Sequence, residues 1–163
     1  MARFVNFLLK LHMRRRFLSL LMTGCLLGCS TVNVPKYIKD ENPYKQVLYA
    51  NFEKTLEATT KALNEAGWEI VSMSDPNVFE HSAIKDPNGK QLLLFSDIKD
   101  LPLFLGTRFA RVNIYLRSTS QPNETEVEIR YLTVNSIAFA EFKNYKHPIA
   151  SERIFTVIKN YIK

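Results

Sequence analysis

The stretch from Arg14 to Ser30, Arg-Arg-Arg-Phe-Leu-Ser-Leu-Leu-Met-Thr-Gly-Cys-Leu-Leu-Gly-Cys-Ser, divides the chain into two parts with different fates. Three consecutive arginines lead into an apolar run from Phe17 to Gly28, and a small residue stands directly before Cys29. A cationic cluster, a short apolar core and a small-residue processing point are the parts of an export signal. Twelve residues are too few to cross a bilayer as a helix, which takes about 20. A buried core helix is the poorer reading, since charged residues are almost never fully buried unless paired. Residues 1–28 are therefore read as a signal peptide and set apart from the folded protein.

Leu26-Leu27-Gly28-Cys29 resembles the lipobox of bacterial lipoproteins, in which signal peptidase II cleaves before the cysteine and the acylated cysteine becomes the mature N-terminus. The resemblance implies lipidation at Cys29 and attachment to the membrane through that lipid. Met22-Thr23-Gly24-Cys25 has a similar form, but it leaves an apolar run of only eight residues, so Cys29 is preferred. By the same resemblance, Ser30 in place of an aspartate points to the outer membrane, with the domain facing the periplasm. Met13 directly precedes the arginines, and a start there gives a signal of ordinary length. Arg14 to Leu18 also resembles the twin-arginine export motif, although arginine clusters are routine in signals of the general secretory route.

Removing the signal changes the charge and the cysteine count. Five of the 22 basic residues (Arg3, Lys10, Arg14, Arg15 and Arg16) and none of the 16 acidic ones precede Cys29, leaving 17 against 16. The basicity belongs to the signal, so nucleic acid is not an expected partner, because that needs clustered charge on the folded domain. Both cysteines, Cys25 and Cys29, lie in the signal region, which leaves no disulfide, no CxxC pair and no thiol nucleophile beyond it. Residues 29–44 hold two prolines, many polar residues and no sustained period, and they are read as the lipidated cysteine and an extended tether. Fifteen such residues reach on the order of 50 Å when fully extended.

The folded domain is expected over residues 45–163. Gln46 to Ala50 suits a first strand. Asn51 is placed as a helix N-cap, Phe52, Leu56, Thr59 and Leu63 recur at helical spacing, and Gly67 stands where the helix should stop, predicting a helix over 52–66. Trp68 to Met73 follows as a strand closed by Ser74-Asp75-Pro76-Asn77. Val78 to Lys85 and Lys90 to Ser96 flank Asp86-Pro87-Asn88-Gly89, which predicts a hairpin. Leu101 to Gly106 is apolar but broken by Pro102 and Gly106, and reads as a loop. In Phe109 to Arg117, Ala110, Val112, Ile114 and Leu116 face one way, while Arg111, Asn113 and Arg117 face the other. Val127, Ile129 and Tyr131 alternate with Glu126, Glu128 and Arg130 on the next strand, and the charged face is expected to be solvated. Pro148 opens a last helix whose buried stripe is read as Ile154, Val157, Ile158 and Tyr161.

Strand, helix, meandering strands and helix make an α+β domain, a single antiparallel sheet of about five to six strands with two helices on one face. The phrase from Thr59 to Ile70, a helix running through Ala66-Gly67-Trp68 into a strand, resembles the small helix-on-sheet domains of periplasmic lipoproteins, such as that of the outer-membrane barrel-assembly machine. The resemblance covers about a third of the chain and implies fold, not function.

The residues supply little chemistry. Beyond the signal only His81 and His147 remain, and Glu80-His81-Ser82 cannot converge along one strand because neighbours point to opposite faces. Asp86, Asp97 and Asp100 lack the ligand spacing of a calcium loop, and no metalloprotease, phosphate-loop or nucleophile-elbow motif occurs. No enzyme activity, metal or cofactor is expected. The binding candidates are the apolar residues Leu101, Leu103, Phe104 and Leu105, with Ile137, Phe139 and Phe142 as a second patch. The expected function is that of a membrane-anchored, non-catalytic interaction module with another envelope protein as partner. The alternative is a carrier of lipid or an apolar small molecule between sheet and helices.

Overall fold

The computed structural model describes residues 32–80, 89–104, 106–137 and 140–163. Residues 33–163 belong to one compact unit. The strands are β1 (Tyr44–Leu48), β2 (Ile70–Ser74), β3 (Gln91–Ser96), β4 (Lys99–Leu101), β5 (Thr107–Ser118), β6 (Thr125–Ile137) and β7 (Ala140–Asn144). The helices are α1 (Phe52–Glu65) and α2 (Pro148–Ile162). All seven strands join one antiparallel sheet in the order β1-β6-β5-β3-β2, with β4 added beside β5 and β7 beside β6. The α+β class holds, with slightly more strands than expected.

The long hairpin β5–β6 is the frame. Its twelve-pair ladder runs from Thr107 opposite Ser136 to Ser118 opposite Thr125. β1 and β3 flank only the half near the turn, and β4 and β7 flank the other half. Ala110, Val112, Ile114 and Leu116 join Val127, Ile129 and Tyr131 in the main core, beneath Ala58, Ala62 and Leu63 of α1 and Ile154, Phe155 and Ile158 of α2. Both helices thus cover the same face. The Asn51 side chain accepts from the Lys54 amide at 2.9 Å, the N-cap expected from its type. At the other end Gly67 takes φ +77°, with its amide on Asn64 O and the Trp68 amide on Leu63 O, both at 2.8 Å. This pair of bonds is the Schellman stop that a glycine permits.

Several expectations change. α1 buries Thr55, Ala58, Thr59, Ala62 and Leu63, with Leu56 only partly covered, because its stripe centres on small residues that let it lie close to α2 and the sheet. In α2 the fully buried aromatic is Phe155, while Tyr161 is exposed and donates to Glu65 at 3.1 Å. Val78 ends a short 3-10 turn (Pro76–Val78) and is not in a strand, and β3 pairs with β2. The rest of the expected hairpin, residues 81–88, lies outside the described residues. Leu101 belongs to β4 and not to a loop.

The largest change concerns the second face of the sheet. Val34 to Asp40, read from its prolines as part of a tether, lies across that face and does not stand clear of it. Ile38 is fully buried. Its amide donates to Asn113 Oδ1 at 2.7 Å, and Asn113 Nδ2 donates to Lys36 O at 3.2 Å. Arg111 Nη1 donates to Pro35 O at 2.9 Å, and Arg130 Nη1 to Ile38 O at 3.4 Å. The expected solvated face is therefore closed: Arg111, Asn113, Glu128 and Arg130 are all buried. A small aromatic cluster completes the cover, with Tyr37 stacked on Phe79 at 5.2 Å and Phe79 edge-on to Phe95.

Candidate functional site

Of the residues predicted to matter, Cys29, Leu105 and Phe139 lie outside the described residues, as does His81. Those that are described converge. β-register places Leu101 opposite Arg108, Arg108 opposite Asn135 and Asn135 opposite Phe142, a row across four strands. Arg108 Nε donates to Asn135 Oδ1 at 2.7 Å along this row. Paired residues share a face, and Thr133 on the same alternation bonds to His147 at the root of α2. The row thus lies on the helix side of the sheet, beyond the helices.

Exposure separates the candidates. Leu101 packs against the main core and Leu103 is half-buried. Phe104 is 98% exposed, Phe142 57% and Ile137 40%. The two apolar segments meet through Gly106 at φ +96°, where an added Cβ would fall 2.1 Å from Ser136 O and 3.2 Å from Ile137 Cγ1. Only glycine permits that contact, so the β4–β5 loop is pinned against the end of β6.

Between the row and the start of α2 opens a cleft of about 430 Å³, walled by Trp68, Lys99, Leu101, Tyr131, His147 and Ile149. Tyr131 stands edge-on to Trp68 at 5.8 Å and packs on the His147 ring at 4.4 Å. Lys99 Nζ lies 4.2 Å from the Trp68 ring and donates to Ala66 O at 3.0 Å, so this cation is already engaged. His147 Nε2 and Thr133 Oγ1 are 2.9 Å apart. Burial, and then the nearby Arg108, hold the imidazole below its ordinary range, and it is neutral at pH 7. A histidine–hydroxyl pair is the start of a nucleophile–base arrangement. Here the Thr133 hydroxyl is buried and does not line the cleft, and none of the cleft-lining residues is acidic. The bond steadies the His147 ring in the cleft wall, and His147 was not singled out by any sequence pattern.

The other polar concentration lies under the strap. Arg130 Nε donates to Glu128 Oε1 at 2.5 Å, and its Nη1 meets Glu80 Oε1 at 2.6 Å and Tyr37 Oη at 2.7 Å. Tyr37 donates to Glu80 at 2.6 Å, and Lys45 Nζ reaches Glu128 Oε2 at 2.8 Å. Burial and then the hydrogen bond to Glu80 push the Tyr37 hydroxyl up to about 12. Burial alone would raise the Glu80 carboxyl, but bonds from Tyr37 and Arg130 outweigh it and hold it below its usual range. For Arg130 the two carboxylates likewise overcome burial and keep the guanidinium charged. Both proton-bearing partners are shifted away from neutrality, which suits a fastener and not proton transfer near pH 7.

Among the described residues no group of His, Cys, Asp and Glu comes together to hold a metal, and no helix is long and apolar enough to cross a membrane. Comparison with protein-family models and with curated proteins finds no match to this chain.

Proposed function

We propose that the protein is an envelope lipoprotein, attached to the outer membrane through an acylated Cys29, whose domain is a non-catalytic interaction module for another envelope protein. The observation that supports this reading is that exposed Ile137 and Phe142 share one stretch of sheet, at the edge of the helix layer, with Leu101 from a strand far earlier in the sequence. Exposed apolar surface beside an open cleft is the usual form of a docking surface. A photocrosslinking residue at Phe142 should give a discrete adduct in the envelope, and one at Glu57 on the far side of α1 should not. Identical adduct patterns from the two positions would sink the module reading. Anchoring is tested separately. A fatty-acid analogue should label the wild type and Cys25→Ala but not Cys29→Ala, and label persisting in Cys29→Ala overturns that site.

A second reading, the binding of an apolar small molecule, is favoured by the aromatic walls of the cleft. The cleft opens at the edge of the helix layer and is not enclosed beneath it, so a ligand there would stay partly wet. Titrating a fatty acid against Trp68 fluorescence should shift the emission. An unchanged spectrum up to the solubility limit removes this reading.

A further inference from the structure

The strap has a direction. Ile38 sits at Asn113 and Arg130, whereas Val34 and Pro35 sit at Arg111. Traced backwards, the chain therefore moves along β5 from Asn113 toward Thr107, the end that carries the β4–β5 loop. Arg111 is four residues from Thr107, about 13 Å at about 3.3 Å per residue, and seven from Ser118 at the opposite turn, about 23 Å. Five Cα–Cα steps separate Cys29 from Val34, a reach of at most about 18 Å at about 3.6 Å per step. A lipid on Cys29 held by that leash reaches the loop end and falls short of the turn end.

The loop end has the surface a bilayer would accept. Pro102 to Thr107 contains no charged residue, and Phe104 is 98% exposed. Arg108 follows at once, bonded to Asn135, while exposed Glu141 stands in the row of Thr107 and Ser136, and exposed Lys143 lies two strands from β5 on the opposite face. An exposed aromatic tip next to polar and charged side chains sits at the headgroup boundary, with the ring in the acyl region and the charges outside it. We infer that the β4–β5 loop inserts Phe104 into the same membrane leaflet that holds the N-terminal lipid and forms a second membrane attachment beside it. The inference rests on the anchoring at Cys29 proposed above. It sets the uncovered row and its cleft close to the membrane plane, where a membrane-embedded partner is in reach.

The test uses the full lipidated protein, which carries no free thiol once Cys29 is acylated and the signal removed. Phe104→Cys and, at the far turn, exposed Ser120→Cys are labelled with an environment-sensitive fluorophore and reconstituted in phosphatidylethanolamine–phosphatidylglycerol vesicles. Mass spectrometry first confirms acylation of Cys29. Doxyl-labelled lipid should then quench position 104 and spare 120, and aqueous iodide should quench 120 several-fold more strongly than 104. Acylated protein in which iodide reaches both positions equally overturns the insertion while leaving the anchor standing. Protein without an acyl group on Cys29 overturns the anchor and the insertion together.

Discussion

On the helix side of the sheet, Ala110, Val112, Ile114 and Leu116 of β5 meet the apolar side chains of α1 and α2. On the other side, Arg111 and Asn113 of the same strand meet backbone carbonyls and an amide of the strap, and Arg130 on β6 meets two carboxylates and a phenol. The helix side is closed by burial that is non-directional and roughly proportional to area. The strap side is closed by directional polar contacts, most of them paired although Arg111 Nε is not, and there an unpaired buried polar atom costs more than a made bond gains. One face therefore tolerates imprecision, and the other fixes one register of one segment.

The largest predicted effect breaks the strap side. Arg130→Met leaves Glu128, 2% exposed, and Glu80 without their central cation, and should cost about 3–5 kcal/mol in urea melts of the full mature chain. Adding Glu128→Leu should return part of that loss. If Arg130→Met alone melts like the wild type, the network contributes nothing and the two faces do not differ as argued. On the helix side, Leu63→Ala should cost about 2–5 kcal/mol, the range for a buried leucine. The two losses are similar in size but not in remedy: another aliphatic residue rescues position 63, whereas lysine should rescue position 130 poorly because it lacks the guanidinium fork.

Asn113→Ala should have a smaller effect, about 1–3 kcal/mol, since one fully buried amide both accepts from Ile38 N and donates to Lys36 O. Hydrogen exchange separates local from global loss. The Ile38 amide should lose protection in this variant while the β5–β6 ladder keeps it. Equal loss in both would make the strap part of the main folding unit and erase the contrast between the faces.

Acid should act on the two sides in succession. His147, beside the helix-side cleft, is held below its ordinary 6.5, so the unfolded chain takes up a proton first as pH falls. Its contribution is complete above about pH 6.5 and is lost as pH drops from there toward the lowered folded value. Glu80 under the strap is held below 4.5, so its contribution is present above that value and is lost as pH falls through its own lower one. His147→Gln should flatten the first decline in melting temperature and leave the second. Glu80→Gln should do the reverse, and a single decline insensitive to both substitutions would count against these shifts.

The helix side was legible in the sequence because periodicity reports apolar burial. Asn51, Leu63 and Gly67 announced α1 with both its ends, and the alternation of Val112, Ile114 and Leu116 announced β5. On the charged face of the same two strands, Arg117 and Glu126 stand directly opposite in register and pair at 3.2 Å. The strap was not legible, since charged residues alternating on a strand look the same whether water or Pro35 and Ile38 cover them. Nothing local marks a segment 75 residues away in sequence as the partner of Asn113. The apolar candidates near Leu101 and Ile137 were visible by composition, but their union needed Gly106 and the β4 and β7 additions, which pair across the ends of a long hairpin.

The smallest expected effect is the sharpest control. Glu57 and Lys61 on α1 form an ion pair at 2.7 Å, a distance comparable with those around Arg130. Their side chains are 66% and 51% exposed, against 2% for Glu128 and 7% for Arg130. Water and salt screen the exposed pair, and either partner is readily rehydrated when the other is removed. Glu57→Ala should therefore leave the urea midpoint of the mature chain unmoved at low salt and high salt alike. Arg130→Met should shift it under both conditions, because the buried pair is shielded from salt as well as from water. A midpoint that falls as far with Glu57→Ala as with Arg130→Met would mean that proximity alone sets the strength of an ion pair here, and that the strap's cover over the second face adds nothing to the charges beneath it.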